Sequence, residues 1–214
     1  VPSPTAAFYF DLASPEAYLA AEQALHIFAA APEPVEWQPI LAAELPGHAA
    51  AAADAAFRNN IAARATELNL QPLRWPDPFP FDSSLAMRVA TYAKSIGRTV
   101  PFVQAAFRQC YAGGRSLQDE DSVVIAAAAC EMHPKAVLQG AGLRSVATQL
   151  TTTTKQAAEQ GVRSVPAVLA GGRVFHGERA LGEAVEHMRA RPRPRPQTGE
   201  PETSPFEITT HGPA

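Results

Sequence analysis

The sequence predicts an α/β fold in which a βαβ opening and a ββα closing flank a long all-helical block. Three observations predict it. Apolar runs at 5–10 and 35–41 bracket a segment with helical spacing. Near the other end, "VPAVLAGGRVFHG" sets two short apolar runs around Gly171-Gly172, a hairpin signature followed by a last amphipathic stretch. Between them, residues 46–160 carry helical spacing and no alternating pattern of strand length.

The elements follow in order. Residues 5–10 are rich in aromatics and read as a buried strand. From 15 to 31 the positions Tyr18, Leu19, Leu25 and Phe28 recur at helical spacing, and Pro32 and Pro34 stop the pattern. "VEWQPIL" at 35–41 alternates as a second strand, with Pro39 placing it near an edge or ending it early. Strand, helix, strand in this order is a parallel crossover unit. Residues 48–70 are helical by composition, including the alanine run 49–53, which is good helix former and weak core. "QPLRWPDPFPFD" at 71–82 holds four prolines and is an ordered loop. Ser83 or Ser84 then caps a helix to about Ile96, ended by Gly97. Further helices are expected at 101–111, 119–130, 134–139 and 144–160, the last carrying the threonine run 151–154. A closing helix spans about 178–189, and 191–214, with six prolines, forms an extended tail.

The two halves together make a four-stranded mixed sheet. This is the thioredoxin-like plan with a large helical insertion: residues 5–45 and 161–190 form the sheet domain, 46–160 the insertion, 191–214 the tail.

Bulk properties remove several functions. A net charge of -3 supplies no basic footprint for nucleic acid. No apolar run approaches the ~20 residues of a membrane span. "VPSPTAAFYF" lacks the charged start and apolar core of a secretory signal, so the expected location is cytoplasmic. Cys110 and Cys130 lie in alanine-rich helical stretches and read as buried thiols, and the six histidines show no metal-ligand spacing, so no metal is expected.

Two places carry chemistry. In "FDLASPEAYLA" the first strand passes into the first helix through Ser14-Pro15. Ser14 is either an ordinary N-cap or a hydroxyl donor beside an anion, because backbone N–H groups at a helix start carry partial positive charge. Pro15 suits the first helical position, where its missing N–H costs nothing. Val165-Pro166 stands at the entrance to a strand, where proline cannot occupy mid-ladder. It is either a trans start to the strand or a cis proline leaving backbone groups of Val165 free for a ligand.

"FYFDLASPEAYLA" and "GVRSVPAVLAGGRVFHGERAL" resemble the opening and closing segments of the DsbA-like branch of the thioredoxin superfamily. Within it they are most similar to 2-hydroxychromene-2-carboxylate isomerases and kappa-class glutathione transferases. "RATELNLQPL" and "FPFDSSLAMR" match intervening segments more loosely, and the resemblance spans about 6–188. It implies that Ser14 is the catalytic hydroxyl, donating to the sulfur of glutathione or another low-molecular-weight thiol. It also implies a cis Val165-Pro166 and a cofactor contact at Glu178 and Arg179. The implied activity is isomerisation or transfer on a hydrophobic aromatic small molecule. Ser14-Pro15-Glu16-Ala17 stands where relatives carry C-x-x-C, so a dithiol–disulfide cycle is excluded there.

The departures are specific. Glu16 replaces an aromatic residue and places a carboxylate beside the proposed thiolate, opposing it. Glu178-Arg179-Ala180 stands where the pattern has Asp-Arg-Leu, and Ile61 replaces an acidic residue three positions before Arg64. High alanine, arginine and proline content points to a GC-rich bacterial genome, where another thiol can take glutathione's place. The alternatives are a noncatalytic binding module on the same scaffold and a structural partner, for which a homodimer is allowed.

Overall fold

The computed structural model describes residues 5–48, 54–177 and 179–191. The tail from 192, the alanine run 49–53 and Glu178 lie outside the described residues. Four strands, β1 (Ala6–Phe10), β2 (Glu36–Pro39), β3 (Ala167–Ala170) and β4 (Arg173–His176), form one sheet in the order β2-β1-β3-β4. β1 runs parallel to β2 and antiparallel to β3, with Phe8 opposite Trp37 on one side and Val168 on the other. β3 and β4 close as a hairpin with Gly171 and Gly172 at positive φ, a conformation glycine adopts without a Cβ penalty. This is the expected thioredoxin-like arrangement.

Alternation along β1 divides two faces. Ala7 and Tyr9 pack with Ile40, Leu169 and Ala157 beneath one helix, α7 (Arg144–Glu159). Phe8 and Phe10 point the other way, toward α1 (Pro15–Phe28) and α8 (Ala180–Ala190). The helical block supplies α2 (Ala55–Glu67), α3 (Ser84–Ser95), α4 (Thr99–Tyr111), α5 (Glu120–Ala128) and α6 (Pro134–Ala141). Its described residues contain no strand. The Phe8–Phe10 face and this block share a single hydrophobic core, in which Phe107 of α4 meets Phe10 and Tyr18 with ring centroids 6.3 and 6.0 Å apart.

Several boundaries differ from expectation, each for a local reason. β2 is shorter than 35–41, since Leu41 turns its N–H to the Thr154 hydroxyl at 3.0 Å and a 3-10 turn, Ala42–Glu44, follows. Thr154 is buried and donates to the Leu150 carbonyl, so the threonine run contributes one buried bridging hydroxyl. α2 begins at Ala55 because Asp54 is its cap, its Oδ1 accepting from the Phe57 N–H at 2.8 Å. Neither Ser83 nor Ser84 caps α3 with its side chain. Asp82 Oδ1 accepts from the Ser84 N–H at 2.9 Å instead, and Ser83 is buried elsewhere. The proline loop is ordered, with cis bonds at Asp77-Pro78 and Phe79-Pro80, and Trp75 and Phe79 pack edge to face at 4.8 Å. Both cysteines are buried and unpaired, and burial pushes the Cys110 thiol well up.

Candidate functional site

Four segments converge on a cavity of about 630 Å3: the β1–α1 turn with the first turn of α1, residues 41–48, residues 80–84, and residues 163–165. The first segment is held from every side. Ser14 N–H donates to the Asp11 carbonyl at 3.0 Å and Ala13 N–H to Asp11 Oδ1 at 2.9 Å. Leu12 N–H donates to Met87 Sδ at 3.3 Å, and the Tyr111 hydroxyl donates to the Leu12 carbonyl at 3.4 Å. The turn is therefore fixed by α3 and α4, not by its own sequence alone.

Ser14 is the N-cap of α1. Its Oγ accepts from the Ala17 N–H at 3.1 Å, the ordinary capping bond. Its own proton goes to Glu16 Oε2, also at 3.1 Å. Both residues are half-buried on the cavity wall. The two readings of Ser14 thus coexist in one geometry: it caps the helix, and its remaining donor lies at the mouth of a cavity.

Val165 lines the same cavity, and the Val165-Pro166 bond is cis. Pro166 is buried behind it, its carbonyl accepting from the Gly177 N–H at 3.0 Å. Ser14 and Val165 are thereby brought together. Arg179 is not brought to them: its side chain is 87% exposed, is paired with Glu183 at 3.5 Å, and is not part of the cavity lining. Arg179 immediately precedes α8, and the ion pair with Glu183 is one helical turn along that element. Phe81 lines the cavity, while Trp75 and Phe79 of the same loop stack beneath the Arg58 guanidinium.

Sequence reasoning missed Asp11, which forms part of the cavity floor. Asp11 is buried; its Oδ2 accepts from the Ala42 N–H at 2.8 Å and the Ser83 hydroxyl donates to it. Burial, the largest influence, holds its carboxyl above the usual carboxylate range, against those donors and the nearby His48. A carboxylate at the end of a wholly apolar strand was the available signal.

The charges on the wall are mostly of one sign. Glu16, Glu44 and Asp82 are carboxylates, beside the Asp11 carboxyl that burial shifts toward its neutral form; Arg163 and His48 stand against them. Arg163 is committed, since its Nη1 donates to the Ala158 carbonyl at 2.6 Å and the Val162 carbonyl at 3.1 Å. No cysteine lines the cavity, so a dithiol–disulfide cycle has no reactant there. Among the described residues no cluster of histidine, cysteine and carboxylate side chains could hold a metal ion, and no helix is long and apolar enough to cross a membrane.

Residues 5–189 match the family model of the DSBA-like thioredoxin domain. Among solved structures, the chain is similar to a 2-hydroxychromene-2-carboxylate isomerase (17% identity, 86% of this chain and 94% of that one, TM-score 0.74). It is also similar to a probable DsbA oxidoreductase from Streptomyces coelicolor (19%, 88% and 91%, TM-score 0.72). A third likeness is to the cytosolic disulfide reductase DsbM from Pseudomonas aeruginosa (13%, 87% and 96%, TM-score 0.56). At these identities the likeness carries the fold. No curated protein sequence matches the chain.

Proposed function

Because this chain belongs to the DSBA-like thioredoxin family, we propose that its cavity binds a low-molecular-weight thiol at Ser14 and serves an isomerase or transferase reaction on a hydrophobic, aromatic small molecule. The observation that carries the reading is Ser14, a hydroxyl at the α1 N-terminus, opening with Val165 onto one cavity that holds no cysteine. The similar isomerase structure supports the same reaction class.

Glutathione itself meets a wall only partly suited to it. Its sulfur suits Ser14, where the partial positive charge of the helix start favours an anion. Among the described residues of the wall, its two carboxylates find His48 and an Arg163 already bound to carbonyls, facing Glu16, Glu44 and Asp82. The residues present fit a small thiol better than glutathione. When bound, a thiolate supplies a nucleophile that adds to an electrophilic carbon and can leave again. The chain's own part is to hold and screen. Ser14 donates to sulfur once its proton is released from Glu16, and Val165 positions the ligand through its backbone. Leu41, Pro80 and Phe81 give the apolar wall against which an aromatic substrate packs.

A noncatalytic binding module is the second reading, favoured by the Ser14–Glu16 hydrogen bond, which occupies the donor the chemistry needs. Titration of bound thiol by its ultraviolet thiolate absorbance, in wild type and Ser14→Ala, separates the two. A thiol pKa depressed in wild type and restored in the variant supports the enzyme. A thiol pKa equal to its solution value in both leaves the binding module.

A further inference from the structure

We propose that Glu16 selects an aminothiol, a small thiol whose free ammonium group lies two carbons from its sulfur. The inference rests on the reading of the cavity as a thiol site. Ser14 has one proton to give, and it gives it to Glu16 Oε2 at 3.1 Å while the Ala17 N–H occupies the same oxygen. A sulfur arriving at Ser14 must take that proton from Glu16. It then leaves a half-buried carboxylate without its partner and adds a second negative charge beside it.

A ligand ammonium answers both difficulties at once. It gives Glu16 a charge-assisted hydrogen bond in place of the Ser14 hydroxyl, and the ammonium–thiolate pair enters without net charge. Glu44 and Asp82 add to the repulsion, and of the two basic side chains on the wall the Arg163 guanidinium is turned to the carbonyls of Ala158 and Val162, which leaves His48 and the start of α1 to offset it. In glutathione the nitrogen two carbons from sulfur is an amide, which cannot replace a cation, and two carboxylates accompany it. An aminothiol occupies a small part of the 630 Å3, leaving the apolar side at Leu41 and Phe81 for the electrophile.

The test is anaerobic titration calorimetry with cysteamine, N-acetylcysteamine, 2-mercaptoethanol and glutathione, on wild type and Glu16→Gln. Wild type should bind cysteamine about tenfold more tightly than N-acetylcysteamine, which keeps the sulfur and loses the charge. In Glu16→Gln that ratio should fall to about twofold or less, and glutathione should gain affinity. Equal affinity for cysteamine and N-acetylcysteamine in wild type, or a preference unchanged in the variant, overturns the inference and leaves the thiol site standing. The wild-type comparison needs no variant to fold. Failure of all thiols in both proteins ends the thiol reading and this inference with it.

Discussion

Asp11 Oδ2 accepts a hydrogen bond from the Ala42 N–H at 2.8 Å, across 31 positions of sequence. That bond ties the turn carrying Ser14 to the segment that follows β2, and so joins two walls of the cavity. Burial nevertheless raises the Asp11 pKa, so the native state holds its proton more tightly than the unfolded chain does. The stabilising contribution is full below the unfolded value of about 3.9 and is lost as pH rises through the raised folded value. Asp11→Asn removes the titration. Its melting temperature relative to wild type should therefore climb as pH rises above about 4. Thermal melts across that range check it; wild type gaining on the variant with pH would mean that the N–H donors outweigh burial.

Ser14→Ala removes the capping bond to the Ala17 N–H and the proposed donor to sulfur together. Stability should fall by about 1 kcal/mol, the usual worth of such a cap. Turnover on an electrophilic aromatic substrate with a small thiol should fall by roughly 10²-fold or more, the loss expected from one stabilising donor. Ser14→Thr keeps the cap and serves as control. Turnover unchanged in Ser14→Ala would reduce the residue to a cap.

Phe107 is fully buried and touches Phe10 of the sheet as well as Tyr18 and Tyr111. Phe107→Ala should cost about 3–5 kcal/mol. Since sheet and helical block share this core, tryptophan fluorescence and far-ultraviolet circular dichroism should report one common denaturant transition in wild type and variant alike. Two separated transitions would show that the block folds on its own.

Gly140 lies where α6 crosses α3, and a Cβ there would overlap the Tyr92 ring. Gly140→Ala should destabilise by about 1–3 kcal/mol through overpacking. Combining it with Tyr92→Ala should recover part of that loss, because the two changes act on one contact. Additive denaturation free energies would locate the strain elsewhere.

What is local could be read from residue patterns alone. β1 to α1, the Ser14-Pro15 junction, the Gly171-Gly172 hairpin and the helical middle were legible because strand alternation, helical spacing and the fixed φ of proline act over a few residues. Even there, Ser83 holds the expected N-cap position of α3 but Asp82 supplies the side-chain bond, because the Ser83 hydroxyl has a partner in Asp11, distant along the chain. Tertiary structure decided the rest of the site. It set Asp11 on the cavity floor, committed Arg163 to backbone carbonyls and left Arg179 in solvent beside Glu183. Even the Ser14–Glu16 bond, between residues two apart, depends on a turn held by Met87 and Tyr111. The bonds that Met87, Tyr111 and Ala42 make to this turn join residues far apart along the chain, and they depend on how helices pack on a sheet, for which no short pattern of side chains carries a signal.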